Sequence, residues 1–314
     1  MSKQIEGYIY LSLAMVLVGS TVIASKIIAA GLPPFTATAL RFAIAFPLFL
    51  CLMRATGASW PKLAKSDWLI LVFQAGAGSV GYTTLLISGL KLTSAANAGV
   101  IIGTLPVVSA AIAIMVLGER PHRSVLVAAC LAAAGVLAIV FRPDANTPHS
   151  LAGSALIFGA VICEGLFILL NKRVSVAIPP LGLSALMTGF GGAIALPFAL
   201  AELPSMGAPG APALAAVAYY ALVPTVGGFV LWYAGLQRVS GTEASVFTAL
   251  APVSALLLAA AVLGETITAN QMIGMACVLI AVLSLGLRGT SPGQAGGVES
   301  GEGTITPPWR RDTP

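Results

Sequence analysis

Charge is what this sequence has least of. Of its 314 residues only 9% are Asp, Glu, Lys or Arg, while 58% are hydrophobic, and the mean hydropathy is +0.96. A soluble domain carries about 25% charged residues. A chain this poor in charge cannot clothe a water-facing surface, so most of its outer face must meet lipid. Histidine is almost missing: His122 and His149 both fall in predicted loops. The four cysteines, Cys51, Cys130, Cys163 and Cys277, are scattered through apolar runs and form no CxxC. Zinc or haem sites therefore have no support, and these cysteines read as small packing residues. The net charge of +5 comes from basic residues scattered at helix ends, which is no nucleic-acid footprint. No cofactor is expected.

What the sequence has in quantity is long apolar runs. Between charges and turn residues they predict ten transmembrane helices, at about 7–30, 35–54, 68–89, 95–117, 123–141, 151–171, 180–202, 213–235, 243–263 and 270–287. Each is close to the roughly 20 residues that cross a bilayer. The first run, from Gly7 to about Ala30, is too long for a signal-peptide core and continues into further spans, so it reads as an uncleaved first helix. Residues 289–314 are rich in Gly, Ser, Thr and Pro and lack an apolar period, which predicts a disordered cytoplasmic tail. With the N-terminus placed in the cytoplasm, 12 Lys and Arg lie inside and 4, namely Lys26, Arg41, Lys91 and Arg142, lie outside. Basic residues are retained on the cytoplasmic side during insertion, so both termini are expected inside.

The chain also repeats itself at a constant offset of 146 residues. Gly7 maps to Gly153, Gly19 to Gly165, Lys26 to Lys172, and Pro33-Pro34 to Pro179-Pro180. Further along, Pro106 maps to Pro252, Leu117-Gly118-Glu119 to Leu263-Gly264-Glu265, and Arg142 to Arg288. Without a gap, residues 81–142 match 227–288 at 17 of 62 positions. Shared apolar composition would not place Lys, Glu, Arg and a Pro pair at one offset. The expected fold is therefore all-α, as two halves of five spans, 7–142 and 153–288. Five is odd, so the second half is expected to sit inverted relative to the first. Inverted repeats are the usual construction of secondary transporters, because two equivalent halves can exchange conformations and open a central site to either side.

At this point the residues resemble a known family. The run Gly19-Ser-Thr-Val-Ile-Ala-Ser-Lys26, then Pro33-Pro34 and Leu40-Arg41-Phe42, is similar to the start of an EamA domain. So are Gly89-Leu90, Thr93-Ser94-Ala95, Leu105-Pro106 and Leu117-Gly118-Glu119-Arg120, with Pro252 and Leu263-Gly264-Glu265 repeating the pattern. The resemblance covers about residues 7–288 and points to the drug/metabolite transporter superfamily. It implies ten helices, a central cavity between the repeats, and export of amino acids or other metabolites across the cell membrane. One departure stands out: where the family usually has Trp before the first-helix glycine, this chain has Val18.

Glu164 is the leading candidate for coupling, because it lies deep inside the sixth span. A carboxylate there costs about 2.5–3.5 kcal/mol on insertion scales unless it faces a cavity, finds a partner or takes a proton. Lys172 follows eight residues later, a spacing that resembles the first helix of small multidrug-resistance proteins, where the Glu binds cation and proton. The alternative role for Glu164 is a neutral hydrogen bond between helices. Pro106 and Pro252 sit mid-span at matched positions, and paired breaks point to a solute site, unless they are simple kinks. The third span offers Gln74, Tyr82 and Thr83 among glycines, and the eighth offers Trp232 and Tyr233 beside Pro224. With Thr248 in the ninth span these are the solute-path candidates; for the eighth-span aromatics, including Tyr219 and Tyr220, interfacial anchoring competes. Asn97 and Glu243 read as helix caps, Glu119 and Glu265 as loop architecture, and Lys26 and Lys172 as chains reaching opposite interfaces.

The function these features imply is movement of a small solute through a lipid bilayer. No Walker motif is present to couple it to ATP. A lipid scramblase or an uncoupled facilitator stays open as the other reading. An intramembrane enzyme would need a metal cluster or a nucleophile with its base, and no predicted span holds a His, an Asp or a paired acid.

Overall fold

The structure is a computed structural model that describes residues 3–61, 63–117, 127, 130–131, 134–135, 150–176, 178–239, 247–248 and 250–288. These residues are helical apart from short connections. The helices are α1 (Lys3–Ala29), α2 (Pro34–Thr56), α3 (Lys65–Gln74), α4 (Tyr82–Leu90), α5 (Ala95–Ile102), α6 (Leu105–Leu117), α7 (Leu151–Arg173), α8 (Pro180–Glu202), α9 (Ala211–Tyr220), α10 (Gly228–Leu236), α11 (Leu250–Leu263) and α12 (Ala269–Arg288). Among the described residues six helices are long and apolar enough to cross a membrane, or seven if the bent pair α5 and α6 is one span. The fifth predicted span, 123–141, lies mostly outside the described residues, as do the first turns of the ninth and the tail at 289–314. The protein is a multi-pass helical membrane protein. Its outer faces carry large apolar side chains such as Phe73, 68% exposed, and Leu69, 63% exposed, which only lipid can cover without cost.

Two predicted spans prove to be composite. Between α3 and α4 the chain widens into a π-helix at Ala75–Gly81, and between α9 and α10 it does so again at Ala221–Gly227. The two segments are related by the same 146-residue offset as the sequence. Pro224 gives the second one its reason. Proline has no N–H to bond the carbonyl four residues back, and its ring crowds that carbonyl. The carbonyl is that of Tyr220; in the π register it faces the Thr225 N–H five residues on, and the Thr225 hydroxyl donates to it as well, at 2.8 Å. In the first half Gly78 stands in the place of Pro224, and Phe167 packs so closely that a Cβ built on Gly78 would lie 2.6 Å from the Phe167 Cβ.

The fourth span is broken rather than kinked. α5 ends at Ile102, α6 starts at Leu105, and the two are bent by 42°. Pro106 is thus not mid-helix but the second residue of a new helix, where a missing N–H costs nothing. Pro252 holds the matching place near the start of α11.

Packing follows the repeat. α1 packs chiefly on α11 and α10 of the other half, α7 packs on α6 and α4, and α2 packs on its own counterpart α8. Matched glycines allow the closest approaches. A Cβ on Gly89 would fall 2.6 Å from Ile157 Cδ1, and one on Gly235 would fall 2.7 Å from Leu11, and each contact is the other's image at the offset of 146. The halves are interlocked, so neither buries its apolar faces alone.

Polar groups at helix ends are satisfied across that interlock. Both oxygens of Glu265 accept from the Ala95 and Ala96 N–H groups at 2.9 Å, capping α5 from the far half. Glu202 accepts from the Phe35 and Thr36 N–H groups and from the Thr36 hydroxyl, at 3.3, 2.7 and 2.8 Å, capping α2. The Lys26 ammonium donates to the Leu90 and Thr93 carbonyls at 2.7 and 2.6 Å, satisfying the end of α4. Asn97 is not a cap. Ser94 fills that role, and the Asn97 side chain accepts from Gln271 of α12 at 2.8 Å inside the bundle. Glu119 and Glu243 lie outside the described residues.

Candidate functional site

A cavity of about 560 Å³ lies between the two halves, within the range of small-molecule sites. Its walls come from both halves at matching positions. Val18 and Glu164, Arg41 and Met187, Phe42 and Thr188, Ser79 and Thr225, and Pro106 and Pro252 are pairs at the offset of 146, and both members of every pair line the cavity. The helix breaks and the π-helices explain why. They are the places where a helix backbone is interrupted or widened, and they border this cavity.

Glu164 projects into this space from α7. Among the described residues no hydrogen bond and no ion pair reaches its carboxylate, whereas every other described acid has a structural partner. Glu6 pairs with Arg238 at 3.6 Å, Asp67 accepts from the Ser175 N–H and hydroxyl, and Glu202 and Glu265 cap helices. Tyr82 lies within electrostatic reach of Glu164, Tyr220 and Arg41, so these four polar groups share one region of the cavity. The matching position in the first half is Val18, the residue at which the sequence departs from the family it resembles. That departure therefore sits in the cavity wall.

Of the residues singled out in the sequence, the structure brings together Glu164, Tyr82, Pro106, Trp232, Tyr233, Thr248 and Pro252 around the cavity. Gln74 and Thr83 do not line it. Gln74 is buried and donates to the Phe167 carbonyl at 3.2 Å, tying the first π-helix region to α7. Thr83 stands one shell back, accepting from Arg41 at 3.1 Å and donating to the Ser79 carbonyl at 2.9 Å. The backbone of Lys172 lies in α7, but its side chain is outside the described residues. Tyr219 faces away and donates to Ser20 at 2.8 Å, while its neighbour Tyr220 enters the cavity.

Sequence reasoning missed Arg41. Counting topology placed it with the outside charges, but it lies two turns inside α2 and lines the cavity. The signal was available: a charge well inside an apolar run, the same criterion that selected Glu164. Asn171, Ser184 and Thr188 were also missed, and a small polar residue on an apolar helix gives no sign of which way it points.

Apolar helices from two sequence-related halves thus enclose a largely apolar cavity that carries a few charged and polar groups. The EamA-like transporter family matches the chain twice, at residues 5–141 and 151–287, and the chain belongs to this family, within the drug/metabolite transporter superfamily. It is 35% identical over 282 residues to the uncharacterized transporter YetK of Bacillus subtilis, covering 88% of this chain and 86% of that protein. It is 27% identical over 286 residues to a probable amino-acid metabolite efflux pump of Salmonella typhimurium, covering 87% of this chain and 92% of that protein. A crystal structure 22% identical in sequence superimposes with a TM-score of 0.61, over 92% of this chain and 99% of the other, and so shares the fold.

Proposed function

We propose that the protein is a secondary transporter of the cell membrane that exports amino acids or related small metabolites, with Glu164 coupling their movement to protons. The observation that carries this reading is the position of Glu164, a carboxylate that opens into the cavity between the two halves and, among the described residues, has no hydrogen-bond or ion-pair partner. A structural acid would have been given a partner, as Glu202 and Glu265 were. An acid that faces the cavity without a hydrogen bond can instead exchange a proton or a cationic group as the cavity opens to one side and then the other. The arrangement supported by the repeat is ten spans in two inverted five-helix halves, 7–142 and 153–288, with both termini cytoplasmic. Rocking of one half against the other would then alternate access around the fixed site. The Salmonella relative, named as a probable amino-acid metabolite efflux pump, supports the choice of solute class.

Lipid movement is the competing reading, and one feature weighs against it. The outer groove between α2 and α8, about 500 Å³, is lined by Ala39, Phe42, Ala43, Phe46, Leu196 and similar side chains, with no charged residue. A headgroup crossing the membrane there would find no charge to solvate it.

The test compares the medium of cells overexpressing the wild type, Glu164→Gln or an empty vector. Accumulation of a metabolite outside with the wild type alone is the expected result and names the solute. Equal accumulation with Glu164→Gln would keep export and remove Glu164 from coupling. No change in any metabolite, with protein confirmed in the membrane, would sink export.

A further inference from the structure

The cavity holds a second charge that the coupling role of Glu164 leaves unused. Arg41 enters from α2 with its guanidinium stacked against two rings, 4.5 Å from the Phe42 centroid and 4.4 Å from that of Tyr220. One of its N–H groups donates to Thr83 at 3.1 Å, its Nε has no partner, and among the described residues no carboxylate lies within 4.0 Å. We infer that Arg41 is the anion-binding pole of the solute site, its guanidinium taking the carboxylate of a solute whose ammonium lies toward Glu164.

Four observations lead here. First, a cation kept only for structure fills its donors with protein, as Lys26 does on two carbonyls, whereas Arg41 is fixed in orientation and left mostly unsaturated. A flat fork held against two ring faces suits bidentate capture of a carboxylate, which an ammonium could not match. Second, the two cavity charges come one from each half, at positions where the other half carries Met187 and Val18. The cavity is therefore electrically asymmetric, with a cation on one half's wall and an anion on the other's, as a bound dipolar solute is. Third, one cation and one anion leave the cavity close to neutral. A phosphate carries about −1.5 to −2 charges near neutral pH and would stay uncompensated beside Glu164, but a zwitterion meets both poles. Fourth, Tyr82, Phe229 and Trp232 line the same space and offer apolar surface to a bulky side chain. The inference rests on the cavity being the solute site. It goes further in making a free carboxylate a requirement and in naming the residue that enforces it.

The test uses the purified full chain in liposomes loaded with the twenty protein L-amino acids together with the α-amides of leucine and phenylalanine, with release followed by mass spectrometry. The wild type should release the two acids over their amides by roughly tenfold or more, as expected for loss of a hydrogen-bonded charged partner. Arg41→Gln should bring that ratio near one, and Arg41→Lys, which keeps the charge without the ring-clamped fork, should fall between. An Arg41→Gln protein that still prefers the acids as strongly as the wild type would overturn the inference and leave transport standing. A second measurement needs no variant: leucinamide added in excess should fail to slow leucine release by the wild type, and equal inhibition by leucine and leucinamide would overturn the inference too. Release of none of the twenty amino acids by the wild type would instead fell the amino-acid reading, and this inference with it.

Discussion

Replacing Glu164 by Gln should destroy coupling without destabilising the protein, and the contrast with Glu265→Gln makes this a sharp test. Glu164 has no hydrogen bond to lose among the described residues, and the desolvation cost of its ionised form, which Gln does not carry, is larger than the attraction to Arg41 that Gln forgoes. On insertion scales that cost is about 2.5–3.5 kcal/mol at a helix centre, and solvent in the cavity reduces it. The variant should therefore range from unchanged to about 3 kcal/mol more stable. Glu265 is the opposite case. Its two oxygens each accept a backbone N–H at 2.9 Å at the start of α5, where the helix dipole also favours negative charge. Gln keeps one acceptor and loses the charge, which removes about 1.5–3 kcal/mol. The assay is thermal unfolding of the detergent-purified protein near neutral pH, followed by tryptophan fluorescence. Glu164→Gln should melt at or above the wild-type temperature, and Glu265→Gln clearly below it. If Glu164→Gln lowered the melting temperature as far as Glu265→Gln, the carboxylate would have a stabilising protein partner, and the reasoning that assigns it to the solute path would be refuted.

Two further predictions concern the helix irregularities. Thr225→Val should cost about 0.5–1.5 kcal/mol by removing the hydroxyl's hydrogen bond to the Tyr220 carbonyl. Pro224→Ala should rescue part of that loss by restoring an N–H, so the double variant should melt above Thr225→Val, and a strictly additive result would mean that the hydroxyl does not serve that carbonyl. Leu placed at Gly89 or at Gly235 should force the interlocked halves apart and lower stability by about 1–3 kcal/mol or more, as overpacking does. Because the two contacts are images of each other, unfolding temperatures that fell at one site and not the other would contradict the matched packing.

Composition and periodicity alone determined that this chain lives in lipid, that it is helical, and that it is made twice over. Those properties are properties of intervals: a run of apolar residues is as long as a bilayer is thick, and an offset of 146 is visible without knowing any direction in space. The same kind of signal exposed Glu164, since a carboxylate deep in an apolar run is costly wherever it points, and it should have exposed Arg41. Direction was the missing quantity. An amphipathic pattern tells a soluble helix which face is inside, but a helix apolar on every side gives no such cue. Only the packed structure decided that Thr83 supports Arg41 from behind, that Gln74 ties helices together, and that Tyr220 enters the cavity while Tyr219 turns away. Only packing showed that Glu265 caps a helix 170 residues distant in sequence, because the acceptor and its donors meet through the interlock of the halves. The π-helices were equally hidden. Pro224 announces a disturbance, but whether a helix kinks, breaks or widens depends on which neighbour supplies the missing hydrogen bond and on what presses against the gap. Contacts across the fold settle both.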